Sequence, residues 1–310
     1  MNIVTQTFFD FSENLDENAE FVIFGIPWDY LTTIKLPNSS IAPDRIRDVS
    51  MDLALTTELG FSIQDFKVKD IGNVKIIPEN IDQNIESIKE TVNRIYQKND
   101  KAVIIMIGGD HFCSYPTIKA TGDLIDRKEE FGVLIFDSHL DLYEEWDNNK
   151  YSHATISHRV LDLEYISNRN LLIAGTRDID LPEKEIAIKN HLFHLDAYLL
   201  CESGLDAYIQ KIIDFFNKSG IKNLYISIDI DALDPSIAPG TGYAIPGGFT
   251  YREMWKILKV LASRFKIIAF DVVEVAPNLD LPNNLTCNLA AKLIVELISF
   301  IKTNSKSDKE

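Results

Sequence analysis

Cysteine is scarce in this chain of 310 residues, and the few that occur are poorly placed for cross-links. The three are Cys113, Cys201 and Cys287. An odd, widely spaced set provides no disulfide framework and no Cys-x-x-Cys zinc pattern. Because this usage is typical of a reducing environment, we expect a cytoplasmic protein.

Long apolar runs are also missing. No run reaches the roughly 20 residues that a helix needs to cross a bilayer. The first residues contain no basic segment followed by an apolar core. We therefore expect neither export nor membrane association.

Basic residues are the third shortage. The chain has 31 Lys and Arg against 47 Asp and Glu, which gives a formal net charge of −16. This balance repels the phosphates of nucleic acids and anionic membrane surfaces. It suits a small cationic partner or a metal ion instead.

The chain does contain a recurring pattern of a short apolar strand, a polar or glycine-bearing turn and an amphipathic helix. Candidate strands lie at 20–25, 102–107, 132–136, 170–174, 191–195, 223–228 and 266–270. Candidate helices lie at 43–57, 81–97, 115–124, 154–163, 183–189, 205–219, 250–263 and 286–303. This alternation predicts right-handed βαβ units and a parallel sheet covered by helices on both faces. Since no linker or repeat divides the chain, we expect one domain over residues 1–310, with 303–310 as a frayed tail.

Carboxylates and histidines directly follow four of the candidate strands. The segments are Gly108-Gly109-Asp110-His111, Asp137-Ser138-His139-Leu140-Asp141, Asp229-Ile230-Asp231 and Asp271-Val272-Val273-Glu274. In open α/β sheets, ligands bind beyond the carboxyl ends of the strands. These side chains are therefore expected to meet at one edge of the sheet.

Asp-x-His-x-Asp at 137–141 fits a metal site and a solvated acidic loop equally well when it is considered alone. Together, the strand ends offer six ligands without a thiolate: His111, Asp137, His139, Asp141, Asp229 and Asp231. Such a set suits a hard or borderline divalent ion. Four carboxylates favour two ions over one, and two ions can activate a shared water for hydrolysis. The adjacent glycines are expected to let the backbone approach the metal closely.

These motifs resemble those of the ureohydrolase family of arginases and agmatinases. The resemblance also includes Asp234-Pro235, Pro239-Gly240-Thr241-Gly242 and Pro246-Gly247-Gly248, and it follows the family's order over nearly the whole chain. It implies an arginase-like three-layer α/β/α fold around a doubly wound parallel sheet of about eight strands. It further implies two Mn²⁺ ions per subunit, hydrolysis of a guanidinium group through a metal-bridging hydroxide, and a homotrimer or homohexamer.

The resemblance also implies individual roles. One ion would be held by His111, Asp137, Asp141 and Asp229, and the other by His139, Asp137, Asp229 and Asp231. Asp137 and Asp229 would bridge the two ions, and Asp141 counts among the catalytic residues as well. Glu274 matches the glutamate that pairs with the substrate guanidinium. His153 matches the histidine that carries the proton to the leaving amine, with His158 as a rival one helical turn away.

Substrate choice is predicted from two loops. The Pro- and Gly-rich loop 235–248 is expected to form a pocket wall, with Thr241 contacting substrate. Segment 143–150 does not reproduce the loop with which arginases bind an α-carboxylate, and its acidic residues, Glu144 among them, suit a free ammonium group. We therefore predict an agmatinase, which hydrolyses agmatine to putrescine and urea in polyamine biosynthesis.

Three alternatives stay open: hydrolysis of arginine or guanidinobutyrate, an inactive binding protein on the same fold, and a related metal-dependent amidohydrolase. Phe112 and Ser138 depart from the commonest family pattern. Neither is a ligand position, so both are expected to affect pocket packing. A pocket crowded by Phe112 would favour the inactive protein.

Overall fold

The computed structural model describes residues 6–29, 38–78 and 80–307. Within them, eight strands form one sheet in which every neighbouring pair is parallel. The strands are β1 (Phe21–Gly25), β2 (Val68–Asn73), β3 (Val103–Ile107), β4 (Phe131–Phe136), β5 (Leu171–Thr176), β6 (His194–Asp196), β7 (Asn223–Asp229) and β8 (Lys266–Val273). Their order across the sheet is β2-β1-β3-β8-β7-β4-β5-β6.

Nine α-helices cover the sheet in the described part of the chain. They are α1 (Ala42–Ser50), α2 (Ile81–Lys98), α3 (Ser114–Asp123), α4 (Ile156–Leu161), α5 (Leu181–Lys189), α6 (Tyr198–Ser203), α7 (Leu205–Lys218), α8 (Tyr251–Arg264) and α9 (Leu285–Ser307). Helix α8 shows how sequence sets a helix start. Thr250 accepts a hydrogen bond from the Glu253 amide and donates its own amide to the Glu253 carboxylate, which is a capping box.

The sheet divides the hydrophobic core into two layers. Successive residues of β3 alternate between them, with Ile105 and Ile107 packing under α1, α7, α8 and α9, and Ile104 and Met106 packing under α2, α3, α4 and α5. All five residues of β3 are buried, because helices cover both faces of the sheet. The predicted α/β/α fold with a parallel sheet of about eight strands is confirmed.

Some predicted boundaries are wrong. The helix expected over 43–57 ends at Ser50, and the strand expected at 191–195 begins only at His194, because the turn after α5 places His191 at φ 51°. The helix expected to end at Thr303 continues to Ser307, so the expected tail is helical up to that residue. Residues 308–310 lie outside the described part of the chain.

The strand β2 was absent from the prediction because its sequence, Val-Lys-Asp-Ile-Gly-Asn, is too polar to suggest one. Its central Asp70 is fully buried and forms an ion pair with Arg47 of α1, at 2.7 Å from Nε and 2.9 Å from Nη2. A buried charge is tolerated only when it is paired in this way. The partner lies more than 20 residues away, so local pattern could not reveal the strand.

The four strands that carry the candidate motifs are neighbours in the middle of the sheet, in the order β3-β8-β7-β4. Because all run in the same direction, their carboxyl ends lie along a single edge. No helix among residues 6–29, 38–78 and 80–307 is long and apolar enough to cross a membrane.

Candidate metal centre

His111 is brought to the sheet edge by the two glycines that follow β3. A side chain at Gly109 would place its Cβ 2.0 Å from the carbonyl oxygen of Trp28, and one at Gly108 would lie 2.7 Å from Val273. The glycines are therefore needed for close packing of the chain against its neighbours. The expected close approach of this backbone to a metal stays a prediction.

The first ligand group surrounds His111. Its Nδ1 lies 2.9 Å from Oδ2 of Asp137, 3.1 Å from Oδ2 of Asp229 and 3.2 Å from Oδ2 of Asp141. All four side chains are buried. Three carboxylates from the ends of β4 and β7 thus converge on one ring nitrogen.

The second group surrounds His139. Its Nδ1 lies 3.1 Å from Oδ2 of Asp231 and 3.3 Å from Oδ1 of Asp137. Asp137 therefore faces both groups, one with each carboxylate oxygen. Asp229 faces the His111 group, and its Oδ1 accepts a hydrogen bond from the Asp231 amide at 2.8 Å.

The carboxylates of the cluster are buried close together, so additional positive charge would stabilise their ionised forms. Burial raises the pKa of Asp229 well above its ordinary value, and the charges of Asp231 and Asp137 raise it further. Burial and the charge of Asp137 likewise raise the pKa of Asp141. Burial disfavours protonation of His111, but its contacts with three carboxylates outweigh burial and raise its pKa well above 6.5. Carboxylates crowded in this way are stabilised by a cation between them.

Two atoms test directly whether these residues fit a metal. Nδ1 of His111 and Oδ2 of Asp137 are buried 2.9 Å apart, yet in the described part of the chain neither has a hydrogen-bond partner of good geometry. Buried polar atoms are rarely left in this state without a water or an ion to satisfy them. Each group also brings three ligand atoms within 4.8 Å of one another. The residues therefore fit divalent cations.

Asp141 and Glu274 have left-handed backbones, with φ 52° and φ 59°. Such a conformation costs a residue other than glycine about 1–3 kcal/mol and is common at functional sites. The carbonyl of Asp141 is held by the amides of Ser157 at 3.0 Å and His158 at 3.3 Å, and the amide of Glu274 donates to Gly109 at 2.8 Å. These contacts maintain the strained turns that aim both carboxylates inward.

Glu274 is buried beside the cluster, where Oε1 accepts a hydrogen bond from the His111 amide at 2.7 Å. Burial, followed by the charge of Asp110, raises the pKa of Glu274 to about 8. A cation that enters the pocket would favour the ionised form of Glu274 and pair with it.

A cavity of about 140 Å³ opens onto this centre. His139, Asp141, Asp229, Asp231 and Glu274 line its inner end. The remaining lining consists of His153, Ala154 and Thr241, the aromatic residues Tyr143, Trp146 and Tyr243, and the acidic residues Asp178, Asp180 and Glu183. Asp178, Asp180 and Glu183 form the acidic rim of the cavity.

His153 and Thr241 both line the cavity, and their predicted roles stay predictions. The rival His158 lies outside the cavity lining, and its Nδ1 donates to the carbonyl of Leu142 at 3.0 Å. Its position makes it an anchor for the backbone that follows Asp141. His153 is buried at the cavity wall, with Nδ1 3.2 Å from the hydroxyl of Ser152.

Glu144 does not meet its prediction, because it is exposed and outside the cavity lining. The hydroxyl of Tyr143 donates to Asp180 at 2.7 Å, and the Tyr143 ring packs edge-on against Trp146. These contacts direct Tyr143 and Trp146 inward and leave Glu144 in solvent.

Phe112 and Ser138 have clear positions. Phe112 is fully buried and packs against the rings of Trp28, Tyr115 and Tyr151, so it does not crowd the cavity. The amide of Ser138 donates to Oδ1 of Asp231 at 3.0 Å. Ser138 therefore supports a candidate ligand through its backbone.

The acidic rim was not predicted from the sequence, although one sequence feature indicates part of it. Asp178 and Asp180 follow β5 within four residues, just as the ligands follow their strands. The aromatic lining carried no comparable signal. Tyr143, Trp146 and Tyr243 lie in irregular segments whose side-chain directions depend on tertiary contacts.

A parallel α/β sheet with two imidazole–carboxylate groups at its carboxyl edge defines a class of protein, one that can hold divalent cations beyond the ends of its strands. Comparison with known proteins agrees. Residues 19–299 match the sequence model of the arginase family. This chain belongs to that family and is a ureohydrolase.

Individual relatives carry different activities in their names. The protein is 31% identical over 292 residues to "Arginase 1, mitochondrial" of Oryza sativa subsp. indica, covering 91% of this chain and 82% of that protein. It is 30% identical over 289 residues to the agmatinase of Bacillus subtilis (strain 168), covering 92% and 93%. The solved formimidoylglutamase of Bacillus subtilis subsp. subtilis str. 168 superposes with a TM-score of 0.86 at 25% identity, covering 97% and 94%. Similarity alone therefore does not choose the substrate.

Proposed function

We propose that this ureohydrolase acts on agmatine, giving putrescine and urea. The observation that carries the proposal is the acidic rim of Asp178, Asp180 and Glu183, in a cavity whose described lining includes no lysine or arginine. Agmatine ends in an ammonium group, whereas arginine adds a carboxylate and guanidinobutyrate ends in one. Two like charges 4 Å apart repel by about 1 kcal/mol in bulk water and by about 4 kcal/mol near a protein surface. Arginine also has an ammonium group, but its carboxylate offsets part of that attraction, so agmatine is favoured at this rim.

The rim is held in place for a cationic tail. Tyr143 fixes Asp180 through a hydrogen bond of 2.7 Å, and the Leu142 amide donates to Oε1 of Glu183 at 2.9 Å. Tyr143 and Trp146 line the same cavity, where an aromatic ring face turned to a bound ammonium group would add cation–π attraction of about 0.5–2 kcal/mol.

We propose Mn²⁺ for the two ions. The His111 group, with Asp137, Asp141 and Asp229, would hold one of them. The His139 group, with Asp137, Asp231 and the neighbouring Asp229, would hold the other. When bound, such a pair supplies a water of lowered pKa that can attack the guanidinium carbon at neutral pH.

Glu274 orients the guanidinium group. Its Oε1 is anchored by the His111 amide, and a carboxylate oxygen with two lone pairs can accept a second hydrogen bond while Oε2 accepts another. A planar guanidinium matches this arrangement, whereas a neutral amide would bring no positive charge to Glu274. Glu274 therefore also argues against the amidohydrolase alternative.

His153 completes the reaction by passing a proton to the amine that leaves the guanidinium carbon. Its ring lies at the cavity wall, 6.3 Å between centroids from the ring of Tyr243 and close to parallel with it. An imidazole titrates near neutral pH, so it can release a proton and regain it in each turnover.

The test is urea release by the manganese-loaded protein from agmatine, arginine and guanidinobutyrate at equal concentrations. We expect agmatine to have the highest kcat/KM, by about fivefold or more, since one repulsive pair contributes about 1 kcal/mol or more. Preference for either carboxylate-bearing substrate would overturn the substrate proposal. A manganese-loaded protein inert to all three would support the inactive alternative, for which Phe112 no longer provides a reason.

A further inference from the structure

Arg177, directly after β5, joins two loops of the site through its guanidinium group. Nη2 donates to the carbonyl oxygens of Asp231 at 2.6 Å, Leu233 at 3.3 Å and Ile245 at 2.7 Å. Nε donates to Ile245 at 3.1 Å and Pro246 at 3.2 Å. One side chain thus connects the segment that carries Asp231 with the pocket-wall loop 235–248.

The backbone of the same segment also forms hydrogen bonds that lead back to Asp231 through Ser138. The amides of Arg177 and Asp178 both donate to the carbonyl of Ser138, at 2.8 and 3.0 Å. The Ser138 amide in turn donates to Oδ1 of Asp231 at 3.0 Å. Asp231 is therefore held at its carbonyl by Arg177 and at its carboxylate by Ser138, which the Arg177 segment itself positions.

Only an arginine can make these contacts at one position. Its planar guanidinium has five N–H donors in a rigid fork, whereas lysine has a single ammonium with three. Carbonyl oxygens that converge from two loops also repel one another, and a cation among them removes that repulsion. The hydrogen bonds that the structure gives this guanidinium all go to backbone oxygens, so their effect on the centre passes through other residues. Its positive charge also interacts with the carboxylates of Asp231, Asp137 and Asp229.

We propose that Arg177 is a positioning residue that holds Asp231 in place for the ion of the His139 group. The inference rests on the proposed two-ion centre but makes a separate claim. None of the guanidinium hydrogen bonds of Arg177 reaches the His111 group. The positive charge of Arg177 also acts on Asp137 and Asp229 of that group, but lysine keeps this charge, so the ion held there should be unaffected by Arg177→Lys.

The test is manganese binding by Arg177→Lys, measured by calorimetric titration and by the electron paramagnetic resonance of the bound metal. Lysine keeps the positive charge but lacks the planar, five-donor guanidinium group. Arg169→Lys is the matched control, because Arg169 is exposed and lies before the other end of the same strand. Asp231→Asn serves as a reference for direct damage to the same ion.

We expect Arg177→Lys to bind one ion as the wild type does and the other about 10–100-fold more weakly, as when partners that orient metal ligands are removed. Its spectrum should change from that of a coupled pair to that of isolated Mn²⁺, as in Asp231→Asn. Arg169→Lys should bind both ions normally. Arg177→Gln retains a planar donor group, but this group can reach one loop only, so the variant should lose the same ion. It replaces Arg177→Lys in the test if that variant does not fold.

Two unchanged ions in Arg177→Lys would overturn the inference and leave the metal centre standing. Fewer than two ions in the wild type would overturn both. Equal weakening of both ions, together with loss of cooperative unfolding in the metal-free variants, would show a general structural role and would also overturn the inference.

Discussion

Replacing Glu183 with glutamine is expected to stabilise the metal-free protein and to weaken its use of agmatine. Glu183 is 4% exposed, and burial raises the pKa of its carboxyl group from 4.5 to about 7. The hydrogen bond from the Leu142 amide opposes burial only in part. Glutamine keeps this hydrogen bond through its carbonyl oxygen, so the substitution isolates the charge.

The magnitude follows from the raised pKa. Each pKa unit corresponds to about 1.4 kcal/mol, so ionised Glu183 costs the folded protein about 3 kcal/mol. Because the folded state holds this proton more tightly than the unfolded state, wild-type stability should fall as pH rises from 4.5 to about 7 and then level off. The variant lacks this decline. Its free energy of unfolding should match the wild type near pH 4 and exceed it by up to about 3 kcal/mol near pH 8.

The assay is chemical denaturation in the presence of EDTA across this pH range, with Glu185→Gln as the control on the exposed side of the same helix. In the manganese-loaded enzyme, kcat/KM for agmatine should fall about tenfold or more, since a hydrogen bond to a charged group contributes about 1.5–3 kcal/mol. A variant less stable than the wild type near pH 8 would refute this account of Glu183. Unchanged use of agmatine would remove Glu183 from the substrate site.

Three further substitutions test other parts of the site. Asp229→Ala should lose metal and activity together, and full retention of both ions on metal analysis would contradict its role as a ligand. His153→Ala should keep both ions and slow urea release by about 100–10,000-fold, the usual contribution of a positioned proton donor; an unchanged kcat would exclude that role. Gly109→Ala should destabilise the protein by about 1–3 kcal/mol or more, because its Cβ would lie 2.0 Å from the Trp28 carbonyl oxygen. Unchanged thermal unfolding would show that the backbone relaxes there.

The central strands could be predicted because burial on both faces makes them nearly continuous apolar runs. In β4, Phe131–Phe136, every residue is buried, and composition alone indicates a strand. β2 contains a buried Asp70 whose ion pair with Arg47 forms only when α1 packs against the sheet edge. A polar strand stabilised by a distant partner cannot be recognised from its own residues.

The six candidate ligands could be predicted from the sequence by itself, because each lies at the end of a parallel strand or at most five residues beyond it, and such ends meet at one edge. The substrate end of the cavity was decided only by the tertiary structure. Glu144 and the three residues of the acidic rim all have carboxyl side chains, so the sequence does not show which of them line the cavity. The hydrogen bond from Tyr143 to Asp180 and the contact of Tyr143 with Trp146 direct that loop so that the rim lines the cavity and Glu144 lies in solvent. Side-chain direction in an irregular loop depends on such long-range contacts, whereas direction at a strand end follows from the strand itself.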